Sequence, residues 1–194
     1  MSVLGIHVLG SPVLRQGTAI VPAVTDDLRR LIDDMFETMY AARGIGLAAP
    51  QVGRTERITV IDVDREGGRQ HPIALVNPEI IFREGSVRGE EGCLSIPEIY
   101  GDVERASRVM VRALDRDGQP FEIEGSDLLA RCLQHEIDHL HGKLFIDYFG
   151  IFKRRSALAK WEEEKAKYPA LIRTIVPAAA IAEHHDASKG DEEL

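Results

Sequence analysis

Apolar positions recur with two different periods along the chain, and each period marks an element. Leu28, Leu31, Ile32, Met35, Phe36, Met39 and Tyr40 return every three or four residues, the stripe of an amphipathic helix. Thr25 stands where an N-cap belongs, and Asp26 and Asp27 fill the first turn, where the helix dipole favours negative charge. Gly44 reads as the C′ residue. Before this helix the chain is a series of short apolar pieces broken by Gly10, Pro12, Gly17 and Pro22. After it, residues 57–63 form a nearly continuous apolar run rich in β-branched side chains, which predicts a buried strand. Residues 73–76 predict another, stopped by Asn77-Pro78, and a polar, glycine-bearing run over 83–92 leads to Cys93. Val109, Val111 and Ala113 alternate with their neighbours, and Asp117-Gly118 turns the chain back into Phe121-Glu122-Ile123, a hairpin.

The helical period then returns. Ser126 is placed to cap a helix whose buried side is Leu129, Cys132, Leu133, Ile137 and Leu140, and Gly142 ends it. A second amphipathic helix follows over about 153–167, closed by Pro169. There is no internal repeat. The pattern predicts an α+β fold in which mostly antiparallel strands pack around one central helix, with further helices near the N- and C-terminal ends. It predicts a single domain over 1–168 and a mobile tail over 169–194, where Pro177, an alanine run, His184-His185 and acidic residues fall.

Composition narrows the function. A net charge of −8 argues against direct DNA binding, which needs clustered Lys and Arg, although a local basic patch stays open. No apolar run approaches the roughly 18 residues of a membrane span. With 2 Cys in 194 residues there is no disulfide framework, and the first residues carry no signal-peptide pattern. A cytoplasmic location is expected, in a bacterium rather than an organelle, since no Arg- and Ser-rich leader is seen.

The chemistry concentrates in one stretch, Gln134-His135-Glu136-Ile137-Asp138-His139-Leu140-His141-Gly142. On a helix, His135 and His139 stack one turn apart and can grip one metal ion, while Glu136 reaches water beside it. A catalytic metal hydrolase is the reading; a packed histidine pair is the plainer one. Such a site takes a third protein ligand and keeps one open position. The long HExxHxxGxxH protease pattern fails, because Phe145 stands where its third His would fall. Glu162, Glu163 and Glu164 could serve a zinc endopeptidase, but they lie among lysines as a solvated face would. Cys132 sits among leucines and reads as a packed thiol. Cys93, outside any periodic element, is the preferred ligand. The run Gly44-Ile45-Gly46-Leu47-Ala48-Ala49-Pro50-Gln51 lacks the signature of a phosphate cradle. It reads either as a backbone passing close to something with Gln51 presented at its end, or as a tight connection packed with alanines.

At this point the sequence resembles the peptide deformylase family. Three motifs stand in the family's order: residues 44–51, then Glu91-Gly92-Cys93-Leu94-Ser95, then residues 134–142, and the likeness runs from about residue 10 to 148. The resemblance implies that Cys93, His135 and His139 hold one divalent ion per chain, Fe²⁺ naturally, with Zn²⁺, Ni²⁺ or Co²⁺ able to substitute. It implies a hydrolase that removes the formyl group from N-formyl-methionine on newly made polypeptides: metal-bound hydroxide attacks the formyl carbon, with Glu136 as general base and then acid. The Gln51 amide and the Leu94 backbone N–H would donate to the oxyanion. Ile45, Leu128, Cys132 and His135 would line the methionine pocket, and Gly46 and Gly92 would align the peptide as an added strand. A formyl group bears only hydrogen beyond its carbonyl, so a tight site would reject acetyl groups. Two residues depart from the common pattern: Arg131, whose stem could cover the pocket while its charge reaches water, and Tyr100, where some relatives carry Arg. The resemblance also implies ribosome contact through the C-terminal helix, whose start, Lys153-Arg154-Arg155, is basic, although Glu162-Glu163-Glu164 dilutes the charge. The alternative is the HExxH zinc endopeptidase.

Overall fold

A computed structural model describes residues 2–64 and 71–175. The expected α+β class holds. Helix α1 spans Asp26–Ala41 and helix α2 Asp127–Leu140. Five strands, β2 (Gly46–Ala48), β3 (Ile58–Ile61), β4 (Ile73–Glu84), β7 (Arg108–Leu114) and β8 (Pro120–Ser126), form one antiparallel sheet in the order β2-β3-β4-β7-β8. Strands β5 (Val87–Cys93) and β6 (Ile96–Arg105) form a separate antiparallel ribbon.

Around β3 and the start of β4 the central sheet is buried on both sides, because its strands alternate there between two apolar clusters. Ile58, Val60 and Val76 pack with α1 residues Ile32, Met35 and Met39, whereas Ile61 and Leu75 pack with α2 residues Leu133 and Ile137. Neighbouring residues of a strand point to opposite faces, so the two helices cover opposite sides there. A third cluster joins Ile96, Ile99 and Val103 of β6 to Phe145, Phe149 and Trp161. Among the described residues no helix is long and apolar enough to cross a membrane.

Several boundaries differ from the sequence reading, each for a local reason. Thr25 caps α1 as expected, its hydroxyl accepting from the Leu28 N–H at 3.3 Å. At the other end Arg43, not Gly44, takes the left-handed conformation (φ 59°). The Arg43 N–H reaches Tyr40 O and the Gly44 N–H reaches Met39 O, the paired bonds of a Schellman ending. Asn77-Pro78 does not stop its strand. Asn77 adopts φ 54° and its side chain bonds both backbone groups of Val21, so β4 bulges past the proline and continues to pair with β7. The polar run over 83–92 is largely strand, because β5 zips to β6 along its length. Ser126 stands at the N-cap of α2, but its side chain makes no capping bond. The C-terminal helix α3 spans Ile151–Glu164 and tightens into a 3₁₀ turn over Lys165–Lys167.

The segment expected to leave the body at 169 stays on it. Strand β9 (Ile172–Arg173) pairs with β1 (Ile6–His7), and Ile175 joins the α1 cluster. Apolar side chains at 171, 172 and 175 supply burial that the run of prolines and alanines hid. The rest of the expected tail, 176–194, lies outside the described residues.

Gly142 closes α2 at φ 70°, and a Cβ there would sit 2.7 Å from Arg15 O. Gly142→Ala should therefore cost about 1–3 kcal/mol of stability, read as a lowered urea midpoint with unchanged slope.

Candidate metal centre and active site

Helix α2 sets the site. His135 and His139 project from one of its faces, and the ribbon β5-β6 brings Cys93 against them at its chain reversal. One ligand atom from each of the three lies within 4.8 Å of the others. Cys93 Sγ is 3.3 Å from His139 Nε2. Two ligands at about 2.3 and 2.0 Å from one tetrahedral ion would be about 3.5 Å apart, so the spacing fits a shared metal. A soft thiolate with two imidazoles is also a reasonable donor set for a first-row divalent ion. Glu162 and Glu164 instead pair with Lys165 and Lys167. Phe145, where a third His was sought, stacks against the His135 ring.

The tautomer of His135 is set from behind. Its Nδ1 lies 2.9 Å from Glu91 Oε2, so Nδ1 donates and Nε2 keeps its lone pair for the metal position. Glu91 is buried and also receives Arg105 Nε and Nη2 at 2.9 and 3.0 Å and Arg131 Nη1 at 2.7 Å. Burial opposes ionisation of Glu91, but hydrogen bonds from His135 and Arg105 outweigh it and hold the carboxyl at about 2. Arg105 in turn donates to Asp138 and lies 4.5 Å over the Tyr148 ring. Arg131 does not send its charge to water as the sequence reading had it. Its guanidinium binds Glu91 and the carbonyls of Val87, Gly89 and Val103, because the buried carboxylate and strand carbonyls offer it acceptors.

Glu136 is fully inside the site. Burial, with repulsion from Glu91, raises its carboxyl to about 7 against the pull of His135 and Arg105. Its Oε2 has no protein partner. The β2 backbone comes so close that a Cβ on Gly46 would sit 2.4 Å from Glu136 Oε1, which explains a glycine there. Gln51 is oriented by Ala48, whose N–H donates to Oε1 at 2.8 Å. The amide nitrogen must then face the site, where it donates to Ser95 Oγ at 3.1 Å and approaches Cys93 Sγ at 3.6 Å. Of the two readings of the 44–51 run, the close-approach one describes the geometry.

A cleft of about 480 Å³ opens over this centre. It gathers Gln51, Cys93, Leu94, His135 and Glu136 with the expected pocket residues Ile45, Gly46, Gly92, Leu128 and Cys132. Tyr100 lies on the same cleft, its ring over Gly92. The Cys132 thiol donates to Ile45 O, and burial pushes its pKa up, as befits a packed thiol. His139 is buried behind the cleft surface.

The family model for polypeptide deformylase matches residues 3–155. The chain belongs to the peptide deformylase family. It is 56% identical over 163 residues to a peptide deformylase of Alkalilimnicola ehrlichii, covering 84% of this chain and 91% of that one. A crystal structure of a Legionella pneumophila peptide deformylase matches with TM-score 0.81 at 48% identity, over 85% of this chain and 96% of that chain. An Ehrlichia chaffeensis peptide deformylase in complex with actinonin matches with TM-score 0.81 at 41% identity, over 87% and 99%. The chain is accordingly a deformylase-type hydrolase of a metal-dependent family, and the endopeptidase alternative is not favoured.

Glu91, Arg105 and Ser95 were missed as site residues. Arg105 had a signal: it falls in phase with the inward-facing Ile99 and Val103 of β6, and an arginine at an inward position must find a carboxylate. Glu91→Gln should weaken metal binding about 10- to 100-fold in a chelator competition. It should also cost about 1–3 kcal/mol of stability, since Arg105 would lose one of its two carboxylate partners and keep Asp138.

Proposed function

We propose that this enzyme deformylates the N-formyl-methionine end of newly made polypeptides, with Cys93, His135 and His139 holding one Fe²⁺ for which Zn²⁺, Ni²⁺ or Co²⁺ can substitute. The observation that carries it is the convergence of three metal-binding side chains with the unpartnered, buried Glu136 carboxylate and the inward-facing Gln51 amide in one cleft. The cation supplies, when bound, Lewis-acid polarisation and acidification of water near neutral pH. Glu136, with its carboxyl near 7, takes the proton of the attacking water and delivers it to the amine nitrogen as the C–N bond breaks. The products are formate and a free N-terminal methionine.

Gln51 Nε2 and the Leu94 backbone N–H donate to the oxygen on which charge builds. Strand β2 is an edge of its sheet, and Gly46 of β2 and Gly92 of β5 both border the cleft, which supports a substrate lying as an added strand. Ile45, Leu128 and Cys132, with the edge of His135, offer the methionine side chain an apolar wall. The catalytic unit we infer is one domain extending to residue 175, working in the cytoplasm. Ribosome contact through α3 is part of the proposal; Ile151 and Phe152, 84% and 89% exposed, followed by Lys153, Arg154 and Arg155, support it.

Enzyme loaded anaerobically with Fe²⁺ should release formate from a formyl-Met peptide and leave the acetyl-Met peptide intact. Glu136→Gln should lower kcat about 10²- to 10⁴-fold with metal content retained, and Cys93→Ala should lose the metal. Release from neither peptide, or turnover unaffected in Glu136→Gln, would overturn the reading. Gly46→Ala should cost activity at least about 10-fold without loss of metal, because the added methyl displaces Glu136.

A further inference from the structure

The chain beyond the family match at residue 155 does not merely end the fold; it returns to the cleft. Trp161 is the anchor. It is 3% exposed, its Nε1 donates to Leu9 O at 3.0 Å, and its ring stacks on Tyr168 with centroids 5.8 Å apart and 14° between planes. From Tyr168 the chain turns through Pro169–Leu171, the Val8 N–H donates to Leu171 O at 2.9 Å, and β9 pairs Arg173 with Ile6. Leu9, two residues on from β1, donates its N–H to Ser95 O, in the reversal that carries Cys93 and Leu94. The returning segment is thus clamped to the same piece of chain that supports the site. Two of its side chains, Tyr168 and Arg173, line the substrate cleft.

Their chemistry differs. Tyr168 is held by Trp161 and presents a fixed aromatic surface. Arg173 is half-buried as a residue and, among the described residues, its side chain makes no hydrogen bond or ion pair, whereas Arg105 and Arg131 across the site are both paired to Glu91. An arginine on a cleft wall whose donor fork is free is suited to a carboxylate. None of the acidic side chains on the cleft pairs with Arg173: Glu91 is saturated by His135, Arg105 and Arg131, and Glu90 and Glu98 are exposed to solvent.

We propose that this C-terminal strand adds a specificity determinant: Arg173, beside the Tyr168 ring, takes a side-chain carboxylate of the substrate peptide downstream of the formylated methionine. The proposal rests on the deformylase reading and adds which nascent chains the site favours.

The test uses amidated formyl-Met tetrapeptides with a neutral host sequence and either Asp or Lys at the second, third or fourth position. The readout is the Asp-to-Lys ratio of kcat/KM for formate release, so a general loss of fold or metal cancels. The wild type should favour Asp at one of these positions by roughly two- to tenfold at low salt, mainly through KM, and the ratio should fall as salt is raised. Arg173→Ala should bring that ratio to about 1, Arg173→Glu should invert it, and Arg173→Lys should restore part of it. No preference at any position, or a preference that survives Arg173→Ala or Arg173→Glu, overturns the proposal. Formate release without preference sinks this inference alone; no formate from any peptide sinks the deformylase reading beneath it.

Discussion

The buried carboxylate of Glu91 is the constraint on which the site depends. It lies between an imidazole of α2 and two guanidiniums, and each of its oxygens is occupied. Arg105 belongs to β6 and also reaches Asp138 on α2; Arg131 belongs to α2 and reaches back to carbonyls of both ribbon strands. The ribbon and the helix are therefore joined by a charge network rather than by apolar contact alone. Glu91, Arg105 and Arg131 each bridge ribbon and helix, so the network favours one docking of ribbon on helix. That docking sets where Cys93 meets His135 and His139.

The reactive cleft follows from how little side chain its walls carry. Gly46 and Gly92 let two backbones pass close to the catalytic groups, one almost touching Glu136 and the other lying beneath the Tyr100 ring. A carboxyl in so dry a place is pushed up to about 7, near neutrality. Gln51 shows the same economy. One hydrogen bond from Ala48 decides which end of its amide faces the centre.

Helix α3 and the strand after it extend this logic past the three motifs. Trp161 ties α3 to Leu9, close to β1, and β9 then pairs with β1 so that Tyr168 and Arg173 lie along the cleft. The exposed start of α3 and the buried Trp161 on its later turns divide the helix between an outward and an inward task.

The amino-acid sequence by itself determined α1, the hairpin of β7 and β8, the helix that carries His135 and His139 and, through its three motifs, the family. These are local: helical period, turn chemistry and ligand spacing are all written within one stretch of chain. Asn77-Pro78 and the polar run over 83–92 misled because a side-chain bond to Val21 and strand pairing with β6 overrode local preference. The close-approach role of Gly46, the partners of Glu91 and the return of residues 168–173 to the cleft were decided only by tertiary structure. Each depends on groups dozens of residues apart meeting in a buried place, where an unpaired charge or an extra methyl has no room to relax, and no local pattern records that meeting.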